Sequence, residues 1–188
     1  MRTDRLDAWL GDPSVRTFHR RAAQAPPGEL WDAAKSIRLA DTRTLGRLVR
    51  WRIPGTPADL TFHELFRRYP FTLLEEDEDY AISGLCGRIW TLQRDYPRLE
   101  GVEDFVEWEE SGTVRVLFAH WVEPGEDGAS TLVSETRVEP TDRTARLRLR
   151  ALWAVVGRFE RLVGAEPLTT AVRRAEGHAR GRPAPSRP

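Results

Sequence analysis

The chain has one cysteine, one lysine, no net charge and no long apolar run, and each shortage closes off a class of protein. A single cysteine in 188 residues cannot form an internal disulfide, which agrees with a reducing compartment. It forms no close cluster of metal-site spacing with the four histidines, so no metal is expected and no cofactor is called for. The longest apolar stretches, such as ALWAVV at 151–156, fall far short of the ~20 residues of a membrane-spanning helix. The opening MRTDRLDAWLGDPSV lacks the basic flank and apolar run of a secretory signal, and a cytoplasmic location is the expectation. With 29 basic and 29 acidic residues there is no overall attraction to nucleic acid or anionic lipid. Because Lys35 is the only lysine, arginine carries nearly all the positive charge. That reads as a coding bias more than a function, since arginine's fork matters where phosphates or carboxylates cluster.

What is present fits one soluble globular domain: 40% hydrophobic and 31% charged residues. The charge is uneven. EEDED (Glu75 to Asp79) and EGVEDFVEWEE (Glu100 to Glu110) make the middle acidic, and the last third is rich in arginine. Such runs are solvated faces or a polar partner surface, and the sequence identifies no protein partner.

VRTFHRRAAQA (Val15 to Ala25) reads as a first strand ending at Pro26-Pro27. Pro27 suits a first helical turn, and Leu30, Trp31, Ala34 and Ile37 recur at helical spacing. Asp41 is available to cap a second helix through RTLGRLVRW, and TFHELFRRY (61–69) forms a third, short helix stopped by Pro70. From Phe71 to Glu139 the texture changes to strand-length segments: FTLLEED, YAISGLCGRIWT, VEDFVEWEE, TVRVLFAHWVE and STLVSETRVE. Their short turns predict consecutive antiparallel strands, and LQRDYPRLEG is long enough to lie over a cavity. In TARLRLRALWAVVGRFERLVG, Ala145, Leu149, Leu152, Val156, Phe159 and Val163 step by four and three, which predicts a long amphipathic helix capped by Asp142. Pro167 kinks or breaks it, and LTTAVRRAEGHA adds a last helix before the polar tail GRPAPSRP. The expected organisation is an N-terminal extension (1–12), a domain (13–176) and a disordered polar tail (177–188).

APPGELWDA (25–33), GLCGRIW (84–90), SETRV (134–138) and the helix containing Leu152-Trp153 together resemble the START-like, or SRPBCC, superfamily that includes polyketide cyclases and Bet v 1-type proteins. The resemblance covers roughly residues 13–165. It implies an α+β helix-grip fold, in which a curved antiparallel sheet wraps around a long C-terminal helix with a hydrophobic cavity between them. It also implies an apolar ligand such as a lipid, isoprenoid or polyketide-like molecule. Fold alone does not choose between binding and catalysis.

In a strand, Ile82, Cys86 and Trp90 share one face, so Cys86 reads as pocket wall and not as a nucleophile, which needs a neighbouring base. His120 shares its face with Val116 and Phe118, and Ser134 and Thr136 face inward with Leu132 and Val138. Glu135 and Arg137, on the opposite face, read as an exposed pair worth under ~1 kcal/mol. The expected ligand-binding set is Trp31, Ile82, Cys86, Arg88, Trp90, Val116, Phe118, His120, Ser134, Thr136, Leu152, Trp153 and Val156. No catalytic residue is assigned under the leading reading, a carrier of an apolar small molecule. The alternative reading is a cyclase or aromatase in which Arg88 stabilises an enolate and His120 moves protons. A third is a regulatory interaction module.

Overall fold

A computed structural model describes residues 3–91 and 96–181. The elements run α1 (Thr3–Asp7), β1 (Val15–Ala23), α2 (Pro27–Lys35), α3 (Leu45–Arg52), α4 (Phe62–Leu65), β2 (Thr72–Glu76), β3 (Tyr80–Gly87), α5 (Val102–Val106), β4 (Val114–Pro124), β5 (Ser130–Pro140), α6 (Arg143–Val163) and α7 (Glu166–Gly181). The five strands form one open antiparallel sheet in the order β1-β5-β4-β3-β2. With helices inserted after the first strand and a helical C-terminal segment, this α+β architecture is a helix-grip fold.

Local chemistry explains most of the boundaries. Pro27 occupies the first turn of α2, where its missing N–H costs nothing. Thr61 and Glu64 form a reciprocal capping box on α4. Asp142 caps α6 through the Ala145 amide at 2.7 Å, as its position in the sequence predicts. The cap expected of Asp41 is instead supplied from far along the chain: Glu166 accepts the amides of Arg43 (2.5 Å), Thr44 (3.1 Å) and Leu45 (2.9 Å) at the start of α3. Asp41 receives the Arg38 amide and an Arg174 guanidinium.

Two segments depart from the strand expectation. VEDFVEWEE contains the short helix α5, whose acidic first turn suits a helix N-terminus and whose Phe105 is fully buried. That burial requires Gly84, where a Cβ would stand 2.5 Å from the Phe105 ring. YAISGLCGRIWT stops being a strand at Gly87, which has φ 130° and lies against Tyr96 and Pro97.

The sheet has differently covered faces. On the back face, Tyr80, Ile82, Cys86, Leu117, Ala119, Trp121 and Val133 pack with Leu6 and Leu10 of the N-terminal segment and with Phe105. Glu135 and Arg137 also face this side. They are not exposed, as alternation alone suggested, but are 1% accessible each, because the segment around α1 lies over them. The Arg137 guanidinium donates to Glu135 (2.6 Å), Asp7 (2.6 Å) and the Leu10 carbonyl (2.6 Å).

On the front face, α2, α4 and α7 bury Val122 and Leu132 at one end, while Leu149 of α6 joins Leu85, Val116 and Val138 at the other. The C-terminal helix is divided: α6 ends at Val163, and Pro167 sits in the first turn of α7. In α6 only Ala145 and Leu149 are buried among the residues with described side chains, and Leu147 and Val155 are 66% and 69% exposed. The apolar positions Phe159 and Val163, expected on its stripe, lie outside the described side chains. The polar tail is helical to Gly181 at its start, and 182–188 lie outside the described residues.

Candidate ligand-binding site

Register across the sheet arranges the front face in rows. Val15, Val138, Val116 and Leu85 form one apolar row. The next row is Thr17, Thr136, Phe118 and Ser83, and the one after it is His19, Ser134, His120 and Ala81. Val122 and Leu132 then resume apolar packing. Two rows containing hydroxyls and imidazoles therefore cross the sheet between two apolar clusters. Thr17, His19, Phe118, His120, Thr136 and Ala81 are only half-buried, whereas Ser83 and Ser134 are buried.

Aromatic rings from the α4–β2 segment stand over this strip. Phe66 lies 4.9 Å from the His120 ring and 5.1 Å from Phe118, and Phe71 lies 5.4 Å from Phe118 in an edge-on arrangement. Burial, with a smaller contribution from His63, lowers the His120 pKa to about 4. The imidazole is therefore neutral near pH 7, able to donate from one nitrogen and accept at the other, and is a weak base.

Beside the strip is a cavity of about 350 Å³, walled by α3 and the α3–α4 connection (Arg52, Ile53, Pro57, Leu60), by Leu65, Arg68, Tyr69 and Pro70, and by Tyr96. Tyr96 also belongs to the front-face cluster with Leu85, Trp90 and Phe71, so one ring serves both surfaces. Arg52 donates to the Tyr96 hydroxyl (2.5 Å) and the Thr91 carbonyl (3.0 Å), with its guanidinium 5.1 Å from the centre of the Tyr96 ring. Two buried donors, Arg52 Nη1 and Trp90 Nε1, have no acceptor among the described residues. Buried donors are nearly always satisfied, so these two are the groups here most in need of an acceptor.

The structure brings together Trp90, Val116, Phe118, His120, Ser134 and Thr136 from the expected set. Ile82 and Cys86 lie on the back face, because the turn at Gly87 breaks the alternation that linked them to Trp90. Burial pushes the Cys86 thiol up to about 12, which leaves no thiolate at neutral pH. Arg88 follows the same turn to the surface, where its side chain is 53% exposed and 3.7 Å from Glu110. It does not meet His120. Trp31 is 5% accessible in the core between α2 and α7. Leu152 and Trp153 are half-buried, and Val156 is 36% exposed because α6 leaves the sheet after Leu149.

Sequence reading missed Thr17, His19, Ser83, Phe66, Phe71, Tyr96 and Arg52. The alternation Val15-Thr17-His19 carried a signal for the first two. Ser83 lies in β3 on the face opposite Ile82, where alternation also marks it, and the remaining four arrive through loops and helix ends, which no periodicity marks. In LQRDYPRLEG, expected over a cavity, 92–95 lie outside the described residues, and Tyr96 does line one.

No protein-family model matches the chain, and no curated protein matches it. Among solved structures, it is similar to a hypothetical protein of Helicobacter pylori at 9% identity and TM-score 0.40, over 90% of this chain and 93% of that one. It is similar to Ara h 8.0201 at 10% identity and TM-score 0.33, over 89% and 99%. A Zhui aromatase/cyclase from Streptomyces sp. R1128 shares 16% identity at TM-score 0.28, over 89% and 94%. Those values say nothing about activity. The helix-grip assignment rests on this chain's strand order and helix placement.

Proposed function

We propose that this chain binds or carries an apolar small molecule, of lipid, isoprenoid or polyketide-like character, across the front of its sheet. The observation that supports this reading is the half-buried strip: Thr17, Thr136, His19 and His120 lie between two well-packed apolar clusters, with Phe66 against His120. A sheet face that served only as core would continue its apolar rows. Apolar walls with a few convergent polar groups are the composition of a small-molecule site. Binding is favoured over cyclisation because Arg88 points away and His120 is a weak base. Native mass spectrometry of protein purified from cells is expected to show an apolar adduct that is lost on denaturation. A bare mass in repeated preparations, with no change in tryptophan fluorescence across a panel of apolar compounds, overturns the reading.

A further inference from the structure

We infer that the cavity beside α3 receives the anionic end of the ligand, a monocarboxylate on an apolar body, and that Arg52 grips it. This rests on the binding reading above and adds the ligand's charge and the location of its head.

Three observations converge. First, Arg52 lines the cavity with its Nη2 already held by Tyr96 and the Thr91 carbonyl, so the guanidinium is fixed in place. Its Nη1 is buried without an acceptor among the described residues. A cationic donor in that state is costly until an oxygen meets it, and a carboxylate is among the strong small partners for a guanidinium. Second, the charge among the described lining residues is of one sign. Among the described lining residues there is no Asp or Glu, and Arg68 adds a second cation, with Arg98 close by over the outer Tyr69 ring at 5.8 Å. A neutral oxygen gains only a hydrogen bond from such walls, an anion gains the charge as well, and a cationic head is repelled. Third, most of the remaining wall is apolar, with Ile53, Pro57, Leu60, Leu65 and Pro70 beside Thr56 and the Tyr69 and Tyr96 rings. The volume of about 350 Å³ admits one compact head with part of its body, and Tyr96 carries the wall on to the front-face cluster. Among the described residues the partners of Arg52 are a phenol and a carbonyl and no carboxylate, which suits a binding role better than a structural ion pair.

The test is calorimetric titration of the full chain with naphthalene-1-acetate and with its uncharged isostere naphthalene-1-acetamide, for wild type, Arg52→Leu and Arg52→Lys. The acid is expected to bind wild type at least about tenfold tighter than the amide, with the preference lost in Arg52→Leu and reduced in Arg52→Lys, which keeps the charge but not the fork. Equal binding of acid and amide by wild type overturns the carboxylate assignment and leaves the binding reading standing. Binding of neither overturns the carboxylate assignment, and the adduct and panel measurements above then decide the binding reading. A preference that survives in a folded Arg52→Leu overturns the role of Arg52. If Arg52→Leu does not fold, the wild-type ratio and Arg52→Lys decide.

Discussion

His120 sits against Phe66 at 4.9 Å with its pKa lowered to about 4 from an ordinary 6.5, first by burial and then by His63. The unfolded chain therefore takes up this proton near pH 6.5, while the folded chain resists it until about pH 4. Protons bound preferentially by the unfolded state destabilise the fold as pH falls, so this residue's penalty develops between those two values and is absent above them. Its full size is on the order of 3 kcal/mol. Replacing His120 with phenylalanine keeps an aromatic ring under Phe66 and removes the titration. The expected result is a stability difference between wild type and His120→Phe that is flat above pH 7 and moves by about 3 kcal/mol in favour of the variant by pH 4. Urea denaturation midpoints across that range measure it. A difference that stays constant from pH 7 to 4 shows that the imidazole is solvated and does not face a dry aromatic wall. Comparing the two proteins at each pH cancels the carboxylates that titrate in the same window.

At the scale of elements, the joint between α6 and α7 is more than a helix break. Glu166 begins α7, where a helix N-terminus favours its charge, and the same carboxylate receives three amides at the start of α3. Burial raises its pKa, but those amide bonds outweigh it and the net shift is downward. The contact ties α7 to the helix that carries Arg52. Glu166→Ala removes every acceptor and is expected to cost about 1 kcal/mol, with faster amide exchange at 43–45 and little change elsewhere in the sheet. Uniform exchange across the chain contradicts this. Nothing in the sequence announced that partnership, because Glu166 is more than 120 residues from its amides. The elements that were readable are those whose signals are local: β4 and β5 from alternation, α2 from Pro27, α6 from its four-three stripe and Asp142. VEDFVEWEE misled because a five-residue helix is too short for a period to show, and Phe105 is explained only by the absence of a side chain at Gly84. Likewise, Glu135 and Arg137 alternate as a solvent face does, and only the covering segment makes them interior.

At the scale of the whole molecule, the two faces of the sheet divide the work. The front leaves a strip half-open between its clusters, while Leu6, Leu10 and Phe105 close the back. There residues 5–10 are part of the structure: Leu6 and Leu10 are fully buried, Asp7 and the Leu10 carbonyl hold Arg137, and the Arg5 guanidinium lies 5.0 Å from the Tyr80 ring. Removing residues 1–10 exposes the apolar surface beneath two leucines, at about 1.5–3 kcal/mol each. It also strips two acceptors from a 1%-accessible guanidinium, leaving it beside Glu135 with Arg16 competing for the same carboxylate. Weakening a buried ionic network in this way adds a penalty of a few kcal/mol. Together the loss is on the order of 5 kcal/mol or more, comparable to the whole stability of a small domain. The shortened chain is therefore expected to show a strongly lowered denaturation midpoint or to fail to fold, while Leu6→Ala alone costs about 2–4 kcal/mol in a chain that still folds. Equilibrium denaturation of both settles the matter. An unchanged midpoint after removal of 1–10 returns that segment to the role of an extension and leaves the back of the sheet to α5 alone.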